Sequence, residues 1–271
     1  MTVLLHISDT HFGTEEPPVV AAVQQLVRDE KPDIVILSGD ITQRARSAQF
    51  AAARRFCDSL GVAHLLTLPG NHDIPLYNVA ARLFSPYGKY MNCFGRDLEP
   101  EIELVDVLVI GVNTTRPRRH KDGEVSSGQI QRVVDRLRTR RPDQLRIVVT
   151  HQPACVMRPE DEKDRLHGGE KAVVAWSGAG ADLVLGGHIH LPYVSDICAL
   201  AHGAPRTMYC VQAGTAVSHR VRHGTPNSLN IIRWDPPAAG AVRACRVERW
   251  DYDLADGRFE MTHPYDLQLG D

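Results

Sequence analysis

Five short apolar stretches in this chain each end in residues that can bind a metal or move a proton. Residues 3–7 run into Ser8-Asp9-Thr10-His11, and residues 33–38 into Gly39-Asp40. Residues 64–68 run into Pro69-Gly70-Asn71-His72-Asp73, residues 145–150 into His151, and residues 182–185 into Gly186-Gly187-His188-Ile189-His190. Turns at the ends of parallel strands are where α/β folds place their chemistry. In an extended segment, positions i and i+2 point the same way, so Asp9 and His11 can converge. Taken singly, each group has an ordinary reading: Asp9 or Asp40 as a helix cap, His151 as a hydrogen-bonded core histidine. Five sets together, several beside a glycine, favour one shared site. Mixed carboxylate, imidazole and amide ligands suit Mn, Fe or Zn better than Ca or Mg, and the lack of cysteine argues against a structural zinc. One aspartate amid seven other candidates suggests two metals sharing a bridging carboxylate, an arrangement suited to in-line attack at phosphorus.

The elements that must position these groups read as α/β. Residues 17–30 form a helical pattern with proline at its start, and residues 47–60 a second, with Ser47 as N-cap and Gly61 as stop. Residues 76–90 read as a short helix and an aromatic-bearing loop, and residues 103–112 as one longer strand. Ser126 or Ser127 caps a helix running to Arg141, and residues 171–178 are helical in pattern. From Tyr193 onward the pattern is strands without long helices, at 208–212, 228–234 and 242–251. With no linker and no internal repeat, residues 1–271 read as one domain.

Composition narrows the function classes. The chain has 271 residues, 43% of them hydrophobic, and a formal net charge of −2, which disfavours a long polyanion as partner. Its basic runs, 116–121 and 132–141, read as a solvated loop and a solvated helix face. Six cysteines at 57, 93, 155, 198, 210 and 245 have no Cys-x-x-Cys spacing, and read as buried reduced thiols. That usage, the short apolar N-terminal run without a basic flank, and the lack of a membrane-length stretch lead us to expect a cytoplasmic protein without a membrane partner. Self-association is left open.

The pattern Asp9-x-His11, Gly39-Asp40, Gly70-Asn71-His72-Asp73, His151, Gly187-His188-x-His190 resembles the calcineurin-like metallophosphoesterase superfamily. The blocks stand in order across residues 5–190, and Gln212-Ala213-Gly214-Thr215 and Asn227-Ser228-Leu229-Asn230 extend the similarity. The chain most resembles the bacterial branch holding class III cyclic nucleotide phosphodiesterases and glycerophosphodiesterases. The resemblance implies a four-layer α/β/β/α sandwich and a metal-dependent hydrolase of a small phosphodiester, either a cyclic nucleotide or a glycerophosphodiester. It implies that Asp9, His11, Asp40 and His190 hold one metal and that Asp40, Asn71, His151 and His188 hold the other. A hydroxide shared by the metals is then the nucleophile. His72, outside both sets, serves the leaving-group oxygen, with Asp73 either its orienting partner or a turn stabiliser.

Departures from related patterns narrow the reading. Protein Ser/Thr phosphatases carry Glu at position 73 and Asp-Arg-Gly where this chain has Gln43-Arg44-Ala45; Arg44 matches in position and could reach a substrate phosphate. The run Ser8 through Gly13 also resembles the DNA-repair nucleases, which use further DNA-binding parts that a near-neutral chain does not show. UDP-diacylglucosamine hydrolases carry Arg where His72 stands. Two stretches, 77–94 and 158–169, are expected to line the pocket, the second ending in His167 as a substrate contact. A nuclease, a phosphomonoesterase or a catalytically retired binding module are the competing readings, and the intact ligand set speaks against the last.

Overall fold

Alternating side chains in the buried strands decide the layering. On β1 (Thr2–Ile7), Val3, Leu5 and Ile7 pack with helical residues such as Val23, Leu26 and Phe50. Leu4 faces the other way, into a cluster with Ile34, Ile36, Val107, Val109, Leu145 and Ile147. A strand buried on both faces must sit between two apolar layers. In this computed structural model, which describes residues 1–139, 141, 143–197, 203–238 and 241–270, the two layers are a helix layer and a second sheet.

The first sheet has the order β12-β11-β10-β1-β2-β3. In it β2 (Ile34–Leu37) and β3 (His64–Thr67) run parallel to β1, while β10 (Ser228–Trp234) is antiparallel to β1. The antiparallel pair β11 (Ala244–Asp253) and β12 (Arg258–Gln268) finishes that edge. The second sheet has the order β4-β5-β6-β7-β9-β8. Its parallel core is β5 (Val107–Gly111), β6 (Leu145–Val149), β7 (Leu183–Gly186) and β9 (Tyr209–Gln212), flanked by the antiparallel edges β4 (Glu101–Glu103) and β8 (Tyr193–Asp196). Helices α1 (Pro17–Glu30) and α2 (Ser47–Ser59) cover the first sheet. The second is covered by α5 (Ser127–Arg138) and α6 (Gly169–Ala179). The α/β/β/α sandwich expected from the sequence is the observed architecture.

Three local expectations need correction. Residues 103–112 are not one strand but parts of a hairpin, since Leu104 N–H donates to Val107 O at 2.8 Å and the Asp106 carboxylate takes the Thr2 hydroxyl at 2.6 Å. Between residues 76 and 94 the chain makes two short helices, α3 (Val79–Phe84) and α4 (Gly88–Phe94). Strand β12 was not anticipated: it is largely exposed and carries Pro264, which an edge strand tolerates. The helix at 126–141 ends at Arg138, and the expectation for Arg140, like that for Cys198, lies outside the described residues. Among the described residues, the other five cysteines are free thiols, and no helix is long and apolar enough to cross a membrane.

Candidate metal centre

The parallel strands β1, β2, β3, β6 and β7 end on one rim of the paired sheets, and each hands its ligand-type residues to that rim. The crowding there sets the sequence. A Cβ at Gly39, which has φ +102°, would lie 2.4 Å from His151 Nδ1, and one at Gly187 would lie 2.4 Å from Asp9 Oδ2. Asp9, His11, Asp40, His188 and His190 all take left-handed backbone, with φ of 52°, 43°, 47°, 71° and 56°. Asp9 and His11 therefore converge through left-handed turns and not, as expected, along an extended segment. Such conformations cost about 1–3 kcal/mol each and persist where the surroundings fix them, commonly at functional sites.

The side chains meet around Asp40. Its Oδ2 lies 3.8 Å from His11 Nε2, and its Oδ1 lies 3.3 Å from His151 Nε2. On the first side, His190 Nε2 stands 3.3 Å from Asp9 Oδ1 and 3.2 Å from His11 Nε2. On the second side, Asn71 Oδ1 stands 3.3 Å from His151 Nε2, and the His151 and His188 ring centres are 5.2 Å apart. Ligand atoms of Asp9, His11 and His190 lie within 4.8 Å of one another, as do those of Asp40, His151 and His188. Two tautomers are set by outer contacts. His151 Nδ1 faces Ser38 O at 2.8 Å, and His190 Nδ1 faces Arg220 O and the Thr215 hydroxyl, so each Nε2 is turned to the cluster.

Two observations show that these residues fit a divalent cation. Asp9 Oδ1 and His188 Nδ1 are buried without a hydrogen-bond partner, which is costly unless another group meets them. The titration pattern agrees. Burial pushes His11 down to about 3 and His188 down to about 4, leaving both neutral. Burial opposes charge on Asp9 and Asp40, but the neighbouring histidines outweigh it and hold both below the usual carboxylate range. Burial also opposes charge on His151, and Asp40 overrides it, raising the ring to about 9. The carboxylates thus draw protons onto nearby imidazoles, and a cation would take the place of those protons.

The outer residues divide. His72 Nδ1 faces Gln43 O at 2.9 Å, and its Nε2 lies 3.9 Å from Asp40 Oδ2. Asp73, read either as the orienting partner of His72 or as a turn stabiliser, turns its carboxylate to backbone. It accepts from Ile41 N at 3.0 Å, Thr42 N at 2.8 Å and Gly70 N at 2.8 Å, bracketing the turns after β2 and β3. Burial, with Asp40 nearby, raises it to about 6. His167, expected as a substrate contact, is half exposed, lies 4.0 Å from Asp122 and is not among the residues lining the cavity.

A cavity of about 580 Å³ opens over the cluster. From 158–169 it takes Glu160, Asp161, Lys163 and Asp164, as expected of that loop. The stretch 77–94 does not line it; within that stretch Tyr90 is buried and packs with Phe50 and Phe94. Several contributors escaped sequence reasoning: His120 and Lys121, read as solvated loop, and the run Arg220, Val221 and Arg222. Arg220 Nη1 donates to Gln43 Oε1 at 2.8 Å and lies 3.3 Å from His11 Nδ1. The available signal was β9, whose parallel pairing with β7 places the turn after it on the same rim.

A family profile for calcineurin-like phosphoesterases matches residues 2–192. The glycerophosphodiester phosphodiesterase GpdQ of Enterobacter lignolyticus is 38% identical over 82 residues, a match spanning 26% of this chain and 29% of that protein. A probable cyclic nucleotide phosphodiesterase of Synechococcus is 26% identical over 185 residues, 67% of each chain. Among solved structures, a purple acid phosphatase from yellow lupin seeds superposes with a TM-score of 0.70 at 12% identity, covering 98% of this chain and 53% of that one. A dimetal phosphatase from Danio rerio gives a TM-score of 0.63 at 12% identity, covering 99% of both chains. These last two likenesses speak to the fold.

Proposed function

The chain belongs to the calcineurin-like phosphoesterase family, and on that premise we propose that it is a phosphodiesterase using two divalent cations to hydrolyse a small phosphodiester. The observation that carries the reading is Asp40, which turns Oδ2 to one ligand group and Oδ1 to the other. Asp9, His11, Asp40 and His190 would hold one cation, and Asp40, Asn71, His151 and His188 the second, from Mn, Fe or Zn. Bound there, such cations supply Lewis acidity and an activated water.

The chain's own residues do the rest. The His72 ring is fixed by the Gln43 carbonyl, which takes its Nδ1–H, so its Nε2 faces the cavity and, in the imidazolium form that carries a proton on both nitrogens, is placed to give one to the departing alcohol oxygen. Arg220 has no carboxylate partner among the described residues, and its guanidinium can take non-bridging phosphoryl oxygens. The two curated relatives carry names for glycerophosphodiester and cyclic nucleotide chemistry, and both substrates are small diesters.

The test is hydrolysis of bis-p-nitrophenyl phosphate with added Mn, abolished by chelation. Comparing kcat/KM over cAMP, cGMP, glycerophosphocholine, a monoester and single-stranded DNA under one metal condition then checks the class. A protein that binds metal but is inert on all of them overturns the reading. So does a monoester or DNA preferred by more than about tenfold, roughly 1.4 kcal/mol in the transition state.

A further inference from the structure

A second, smaller crevice adjoins the first at His72. Asn71, His72 and His120 line both, and beyond them the crevice is walled by Arg44, Arg82 and Leu76. Among the described residues, no aspartate or glutamate lines it. Arg82 is braced by backbone: its Nη1 donates to Pro75 O at 3.3 Å and its Nη2 to Arg119 O at 2.9 Å. Arg44 lies over the Tyr77 ring, 5.7 Å from its centre. Among the described residues, neither guanidinium has a carboxylate partner.

Two of the cations around the site are paired with carboxylates, whereas Arg220 is not. In the larger cavity, Lys121 is 2.7 Å from Asp164 and Arg222 is 3.0 Å from Asp161. Two arginines converging on a crevice without a counter-charge mark a place for an anion. Size narrows the choice. The crevice has about 50 Å³ of free space, room for roughly four waters. A phosphate or a carboxylate matches that space more closely than a nucleobase or a sugar does.

We propose that this crevice binds a compact anion carried on the leaving alcohol of the diester. The inference rests on the phosphodiesterase reading for its placement, because His72, the residue serving the departing oxygen, forms the wall between the two spaces. In the reaction the phosphorus–oxygen bond to that alcohol breaks, water supplies the new oxygen, and His72 protonates the alcohol. The second anion stays unchanged and only anchors the leaving group. A cyclic nucleotide has a single phosphate and leaves the crevice unfilled. The substrate class favoured is therefore an acyclic diester with a second phosphate or carboxylate on its leaving alcohol.

Calorimetric titration of the metal-free protein with glycerol 3-phosphate, glycerate and glycerol tests the anion site without catalysis. At least one anion is expected to bind ten or more times tighter than glycerol, and comparing the two anions separates phosphate from carboxylate. That preference should vanish in Arg44→Gln/Arg82→Gln and fall several-fold in Arg44→Gln, whose exposed side chain can be changed without threat to the fold. It should persist in Arg220→Gln. Equal binding of all three compounds, or a preference that follows Arg220 and not Arg44 and Arg82, overturns the proposal. On the Mn-loaded enzyme, kcat/KM for glycerophosphoglycerol should rise at least tenfold when the leaving glycerol carries a phosphate. Diester hydrolysis with no such preference removes the subsite and leaves the phosphodiesterase reading standing. Anion binding without any diester hydrolysis does the reverse.

Discussion

Arg220 Nη1 lies 3.4 Å from His72 Nε2, and the carbonyl of the same arginine accepts from His190 Nδ1. One residue therefore touches both the proton-donor candidate and the support of a metal-ligand candidate. The two roles separate by substitution. Arg220→Gln keeps the backbone carbonyl, so metal content should hold. Loss of the guanidinium should lower kcat/KM on bis-p-nitrophenyl phosphate by about 10–100-fold, roughly 1.4–2.7 kcal/mol. Unchanged kcat/KM at full metal content would remove Arg220 from substrate binding.

Asp40 and His72 should separate in the same assay. Asp40→Asn weakens a ligand to both ligand groups and is expected to lower metal content and turnover together. His72→Ala should keep its metal and lose rate, because the role proposed for His72 is in the transition state and not in the ligand shell. Elemental analysis of the purified variants, paired with kinetics, decides it. Metal lost from His72→Ala would make His72 a ligand.

The glycine before Asp40 is expected to be intolerant. Gly39 has φ +102° and its added Cβ would meet His151 Nδ1 at 2.4 Å. Gly39→Ala adds backbone strain of about 1–3 kcal/mol and pushes His151 off Ser38. A lower melting temperature and weaker metal retention should appear together, and a variant with parental values in both would show that the contact relaxes freely.

What the sequence disclosed and what it hid follow from the range of the interactions. Asp9, His11, Asp40, Asn71, His151, His188 and His190 were legible because each follows an apolar strand directly, and parallel strands bring such ends together. The backbone that aims Asp9 and His11 was not legible, because left-handed φ at a non-glycine residue is imposed by neighbours such as the Gly39 and Asp40 carbonyls that accept from their N–H groups. Asp73 shares its motif with His72, yet its partners come from the turn after β2, and adjacency in sequence does not reveal them. Arg220 stands 30 residues beyond His190 and reaches the site only through the strand order of the second sheet. The helix and strand layers were readable from periodicity, whereas β12, exposed and interrupted by proline, gave no alternation to read.

A last prediction concerns stability away from the site. Asp182 is buried and takes charged hydrogen bonds from Arg146 Nε at 2.8 Å, Arg206 Nη2 at 2.8 Å and Arg243 Nη1 at 2.9 Å. Those arginines come from β6, the segment before β9 and the segment before β11, so the carboxylate fastens the second sheet to the chain that enters the first. Removing it strands buried cations, and Asp182→Ala should cost about 3–5 kcal/mol. Burial alone would raise the carboxyl, but the Arg243 and Arg146 contacts outweigh it and hold the pKa below its ordinary value. A carboxylate depressed in the folded state stabilises above its unfolded pKa, about 3.9. That contribution is lost as pH falls through the folded value. Asp9 and Asp40 are depressed too, so acid unfolding of the parent alone does not isolate Asp182. The gap in unfolding free energy between parent and Asp182→Asn does. Measured by denaturant titration, it should be constant from about pH 7 to pH 5 and narrow below about pH 4. A gap that stays constant down to pH 2 would mean that the ionised form of Asp182 contributes nothing to holding the two sheets together.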